Sequence, residues 1–320
     1  MIKQYNFIGR IKASSSDPDA QTREFTELAS KGFMLKPLSY YQNELNKLSL
    51  KVYTPEQFAL EKPTEEVIQQ ELEDIANHMY YKLYGSNNSK VVKFIADNQR
   101  IALEQREKGW NEVKDFFEMI EADKEATENE KFQQEYDKEY KKQEDFIVGN
   151  SEYVEVALNK IFANDIKLPF DAYITIDYKK DSQKAFVNVE IPTYLDIPTL
   201  KTNVSATYGR VSLKNKLIRE QDDERTRCII GLTYYIASLV FSTTANIVNV
   251  DIAIWEKGKA NGLIWALLSR SQITNPKRFA PLVDIYNWNY VSNIKLVRGG
   301  THIEPTPANM FNTQIATRRY

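Results

Sequence analysis

Two hydrophobic rhythms divide the chain. Ahead of Gly149, apolar residues recur every three or four positions, the spacing of one face of an α-helix. Val67, Ile68, Leu72, Ile75, Met79 and Leu83 keep that spacing between Thr64, which opens the helix, and Gly85, which closes it. Ser89 caps a longer stretch in which Val92, Ile95, Leu103, Val113, Phe116, Phe117 and Ile120 carry the stripe, with an interruption near Gly109. From Asp123 to Asp145 the stripe thins to Phe132, Tyr136 and Tyr140, four apart on one narrow face among charges of both signs. That run lacks glycine and proline, so the spacing predicts one long charged helix near 89–146. The first sixty residues predict short helices. One begins after Asp17-Pro18 and stops at a left-handed Gly32, and a second spans Tyr40 to Leu48.

After Gly149 the rhythm changes. A helix from Ser151 carries Val154, Ala157, Leu158 and Ile161 on one face. Ala172, Ile174, Ile176 and Tyr178 then alternate with polar residues, as do Val187, Val189 and Ile191 up to Pro192, which is the period of a hairpin. Thr193 to Val211 reads as a proline-marked connection. The stretch from Leu217 to Phe241 begins charged and turns apolar nearly all round, which predicts a central buried helix. Val248 to Ile254 and Leu263 to Ser269 predict a second hairpin across Gly258 and Gly262. A further strand is expected within Tyr290 to Val297.

The expected fold is therefore α+β. A helical N-terminal region, 1–148, precedes an α-β-β-α-β-β domain, 149–320, with a mainly antiparallel sheet of four or five strands. The stretch from Phe186 to Ser269 has a strand ending in Glu190-Ile191-Pro192, a charged-to-apolar helix and a hairpin. It resembles modules of bacterial proteins without an assigned activity, and the resemblance implies none here.

Composition narrows the function classes. The chain has 320 residues and a net charge of −2, which argues against a basic nucleic-acid coat and against an acidic disordered tail. The balance is uneven, however: residues 1–145 carry 21 basic and 28 acidic side chains, and residues 146–320 carry 21 and 16. The N-terminus shows no signal-peptide pattern, and the longest apolar run falls short of a membrane span, so a cytoplasmic protein without membrane association is expected. The single cysteine, Cys228, sits among apolar residues and reads as a buried, inert thiol.

Chemistry has few places to sit. With two histidines, His78 and His302, and one cysteine, neither a structural zinc site nor a Ser-His-Asp triad is expected. Phosphate-binding glycine motifs are missing, and no cofactor is expected. Asp177-Tyr178-Lys179 has the acidic-x-Lys form of magnesium nucleases, with Asp171 and Glu190 as further carboxylates. The pattern departs from those enzymes because Asp171 and Asp177 share one strand and Glu190 is followed by no lysine.

Two interaction surfaces remain. Phe132, Tyr136 and Tyr140 offer a face for a protein partner or a second copy of the chain. The leading reading is accordingly a non-enzymatic interaction or scaffold protein acting through its helical half. The alternative is a nucleic-acid-associated protein, with or without nuclease activity. It rests on Lys201, Tyr208, Arg210, Lys214, Lys216 and Arg219, an interval without acidic residues and with one aromatic neighbour for base stacking. Arg270, Lys277 and Arg278 form a second basic cluster.

Overall fold

The structure is a computed structural model, which describes residues 1–9, 17–84, 88–205, 209–271, 273 and 294–307. The chain forms two compact units. One comprises 1–48 with 140–320 and contains the sheet; the other, 49–139, is helical.

The sheet unit is mixed helix and strand, the α+β class expected. Its elements are β1 (Ile2–Phe7), α1 (Pro18–Thr26), a 3-10 turn (Leu28–Lys31) and α2 (Leu38–Lys47). After the helical unit come α5 (Ser151–Lys160), a π-helical turn (Ile161–Asp165), β2 (Ala172–Lys179), β3 (Lys184–Ile191), β4 (Leu200–Val204), β5 (Val211–Asn215) and α6 (Ile218–Thr243). Then follow β6 (Asn249–Glu256), β7 (Asn261–Ser269), β8 (Lys295–Val297), β9 (His302–Glu304) and β10 (Thr306–Pro307). Between them lie the helical unit's α3 (Glu65–Tyr84) and α4 (Asn88–Val148), α4 running into the sheet unit at its C-terminal end.

Among the described residues the main sheet has six strands in the order β1-β2-β3-β6-β7-β10. The pairs are antiparallel except β3 with β6, which are parallel, Val187 facing Ile252. A parallel pair needs a crossover, and α6 supplies it. The two extra strands are β1 and β10, at the edges. β1 corrects the expectation that only helices precede Gly149: it pairs antiparallel with β2, with Tyr5 opposite Ile174. The division expected at Gly149 is corrected with it, since the first 48 residues join the sheet unit. The stretch read as a connection also contains a separate two-stranded ribbon, β4 with β5.

Alternation explains the core. Ile174, Ile176, Val187, Val189, Ile191, Val250, Ile252 and Ile254 are fully buried on one sheet face, against α5 and α6. The 3-10 turn and α1 pack on α6. With neighbours on several sides, α6 is buried from Cys228 to Phe241, as its apolar run requires. Burial also pushes the Cys228 thiol up, which keeps it protonated and unreactive at neutral pH.

One helix end differs from expectation. α1 is capped by Asp17, whose carboxylate accepts the Asp19 amide at 3.0 Å, with Pro18 in the first turn as anticipated. Gly32, however, is extended at φ −66° and not left-handed, because the 3-10 turn intervenes after Thr26. α4 runs through Gly109 without a break, 61 residues in all. It stops at Gly149, whose φ of +70° and amide bond to the Asp145 carbonyl form a left-handed terminator.

The helical unit holds itself together along α4. Residues 53–62 form no regular element, yet each end is fixed. The Tyr53 amide bonds to Asn129 Oδ1 at 2.8 Å, and the Tyr53 hydroxyl and the Glu56 amide both reach Glu121 Oε2 at 3.1 Å. Phe58 packs edge-on to Trp110 at 5.5 Å and tilts over Phe117 at 5.4 Å. Trp110 donates to the Leu60 carbonyl at 3.0 Å, and Lys62 pairs with Glu107 at 2.9 Å. The partners step backwards from 129 to 107. The nine steps from Tyr53 to Lys62 span about 30 Å when extended, which matches roughly 33 Å of helix. The segment is thus a nearly straight strap along one side of α4.

Glu121 anchors the strap. The Lys124 ammonium and then the Glu56 amide hold its carboxyl below the usual 4.5. A depressed carboxyl stabilises above its unfolded value, and that contribution disappears as pH falls through the folded one. Below about pH 4.5 the strap is therefore expected to loosen. Amide exchange at 53–60, corrected for intrinsic rate, should accelerate in acid in the native chain. In Glu121→Gln it should already be fast at neutral pH and show no further acid step. An acid step of equal size in both would contradict this.

Candidate interaction surface

The carboxylates singled out by the sequence do not assemble. Asp171 accepts the Gly9 amide at 2.7 Å. Asp177 is buried in β2, 3.5 Å from the Met1 ammonium and 3.4 Å from Lys179. Glu190 lies opposite Tyr173, whereas Asp177 lies opposite Phe186, about 14 Å further along the ladder. Among the described residues no group of three or more His, Cys, Asp or Glu side chains could hold a metal ion. His78 is exposed on α3, and His302 Nδ1 sits 3.1 Å from Asp222 Oδ1, whose other oxygen takes Arg298.

The basic residues are partly spent within the fold. Lys216 is buried, bonded to Thr22 Oγ1 at 2.7 Å and to Glu224 at 2.8 Å. Lys201 pairs with Glu220, holding that carboxyl below its usual range. Both lysines line a cavity of about 340 Å³ with Asp19, Asp223, Glu224 and Arg227, where Arg227 pairs with Asp223 at 2.8 Å. The carboxylates of α6 thus supply the counter-charge that the interval 197–219 lacks. Arg210, Lys214 and Arg219 are exposed, and Tyr208 lies outside the described residues. Arg270 is buried at the C-terminal end of α6, and Lys277 and Arg278 lie outside the described residues.

Of the aromatic triplet on α4, Phe132 and Tyr136 are half-buried and Tyr140 is 37% exposed. The larger exposed apolar face lies about three to five turns earlier. Val113, Phe116, Met119 and Ile120 are 50%, 60%, 60% and 37% exposed. At 100° per residue their centre lies roughly 110° around the helix from Trp110, Phe117 and Glu121, which the strap covers. Gly109 continues the same face, and a side chain there would meet nothing within 4 Å. Exposed Glu112, which pairs with Lys108 at 4.0 Å, and exposed Asp115 and Asp123 rim the patch. Helical spacing had placed Val113, Phe116 and Ile120 on a single stripe together with Phe117. The missed signal was duplication: over three turns α4 carries two apolar faces, one centred on Trp110 and Phe117 and one on Phe116, and the 53–62 strap is wide enough for one.

A second exposed apolar face belongs to the β4–β5 ribbon. Val204 pairs with Val211, and with Leu213 they share one side, 61%, 69% and 57% exposed. All five residues of β5 are exposed. The β4 side is engaged: the Thr202 amide donates to the Asp19 carboxylate at 3.2 Å.

Comparison with family models, with curated proteins and with solved structures finds no match. Among the described residues no helix is long and apolar enough to cross a membrane.

Proposed function

We propose that this chain is a non-enzymatic scaffold that associates with itself through the uncovered face of α4. One observation carries the reading. Four large apolar side chains stand exposed within eight residues of one helix, on a side the strap leaves open. Single exposed apolar residues need no explanation, but a contiguous patch with a charged rim is the composition of an interface. The magnitudes also argue for an apolar counterpart. Burying what remains exposed of four such side chains yields about 4 kcal/mol, at roughly 1 kcal/mol each. A micromolar complex needs about 8 kcal/mol net of the entropy of association, so the opposing surface must bring apolar area of its own.

Sedimentation velocity at rising protein concentration tests this. The native chain should shift to larger species as concentration increases. Phe116→Glu should weaken that association at least about tenfold, a cost of about 1.4 kcal/mol or more, with unchanged circular dichroism because Phe116 is exposed. A native chain that stays monomeric, or a Phe116→Glu chain that associates as well as the native one, would refute the reading.

A further inference from the structure

We infer that the surface received by the α4 face is the β4–β5 ribbon of a second copy of the chain. The inference rests on the self-association reading and adds the identity of the counterpart. It begins from charge. The helical unit, 49–139, has 12 basic and 21 acidic side chains, a net charge of −9, while the sheet unit has 30 and 23, a net of +7. Two copies of such a chain attract each other most strongly when unlike units meet.

Both local surfaces are apolar. On α4, Val113, Phe116, Met119 and Ile120 stand beside Glu112, Asp115 and Asp123, of which Glu112 pairs with Lys108. On the ribbon, Val204, Val211 and Leu213 share one side, Lys214 alternates onto the other, and Leu217, Ile218 and Arg219 stand exposed just beyond β5. Each surface has an apolar centre, and the units that carry them have opposite net charge. The ribbon's apolar side is about as long as the helical patch. Three residues of strand from Val211 to Leu213 span about 7 Å, and with Leu217 and Ile218 the row lengthens towards the roughly 10 Å between Val113 and Ile120.

Two like surfaces meeting would be poorer. Helix patch on helix patch brings together two units of net charge −9, and ribbon on ribbon two of net charge +7, so repulsion opposes each like pairing. Phosphate contact is a weaker use of the ribbon, because Lys201 and Lys216 are neutralised by Glu220 and Glu224, and the side away from Lys201 and Lys214 is apolar. Helix patch to ribbon is a heterologous contact, in which each copy donates one surface and receives the other.

That asymmetry makes the inference testable by mixing. Leu213→Glu should weaken association at least about tenfold, as Phe116→Glu does. Both residues are exposed, so both variants should retain native melting curves. The two weakened variants, combined in equal amounts, should form a one-to-one complex. The ribbon of the Phe116→Glu chain meets the intact α4 of the Leu213→Glu chain, and no larger species grows because the remaining surfaces are spoiled. The complex should weaken with added salt as the opposite charges of the two units are screened. If Leu213→Glu associates normally while Phe116→Glu does not, the ribbon is not the counterpart and the α4 reading stands. If both associate normally, both ideas fall. If each alone is monomeric and the mixture stays monomeric, the two patches do not face each other and the inference is wrong.

Discussion

Replacing Arg270 with methionine is expected to cost the sheet unit about 3–5 kcal/mol, the scale of removing one partner from a buried charged network. Arg270 follows β7 and is 6% exposed. Its guanidinium donates to the carbonyls of Phe241 and Thr244, and its Nε donates to the Ile247 carbonyl at 3.0 Å. The Phe241 and Thr244 carbonyls are acceptors at the C-terminal end of α6 that no further helical turn can satisfy, and Ile247 lies in the turn before β6. The cation also lies at the end where the helix dipole is negative, and it stacks on the Phe241 ring at 5.3 Å. Burial lowers its pKa to about 10, so it remains charged at neutral pH. Methionine fills much of the volume but leaves three buried carbonyls without a donor. Urea unfolding followed by tryptophan emission reports mainly on the sheet unit, which holds three of the four tryptophans. A loss below about 1 kcal/mol would mean that the end of α6 is capped by something else.

Gly149→Ala is expected to cost about 2–4 kcal/mol, and Gly258→Ala only about 1–2 kcal/mol. The two glycines share a left-handed backbone, at φ +70° and +73°. They differ in surroundings. A side chain at Gly149 would come within 2.3 Å of the Tyr178 hydroxyl and 2.6 Å of Asn246 Cβ, whereas at Gly258 nothing lies within 4 Å. The Tyr178 hydroxyl is placed there because it shares its proton between the Gly149 carbonyl at 3.1 Å and Asn246 Oδ1 at 2.9 Å. The difference between the two variants isolates crowding from backbone conformation. Equal losses in parallel urea titrations would show that the junction of α4 with β2 yields freely.

These two positions show what the sequence made legible. Gly149 was readable as a break, since it ends a run of helical spacing and precedes a cap. It is a helix terminator inside the sheet unit and not the border of a domain. The difference turns on β1. Ile2 to Phe7 has Gln4 and Asn6 on an exposed side and only half-buried Lys3, Tyr5 and Phe7 on the other, so its alternation is faint. Its partner strand begins at Ala172, too far away for any hairpin signal. The central elements were legible because they are buried on a full face. Alternation marked β2, β3, β6 and β7, and the apolar run after Arg227 marked α6 within two residues at each end.

The candidate site was legible only in kind. Sequence periodicity pointed to α4 as the place for a partner, and it chose Phe132, Tyr136 and Tyr140 because those rings stood alone among charges. Isolation along the chain says nothing of exposure. Phe116 was on the same stripe as Phe117, and only the strap over Phe117 and Trp110, a contact between residues some 50 positions apart that no local spacing encodes, separates the covered face from the open one. The same holds for Lys216, which looked available and is held by Thr22 from 194 residues away.

A cysteine placed at Val113 gives the most direct view of the α4 face. The native Cys228 is fully buried and provides no background. Maleimide labelling of Val113→Cys should slow as protein concentration rises, while labelling of Glu104→Cys, exposed on another side of the same helix, should not change. Labelling at 113 that keeps one rate from dilute to concentrated protein would mean that nothing covers Val113, Phe116, Met119 and Ile120, and self-association through α4 would have to be abandoned.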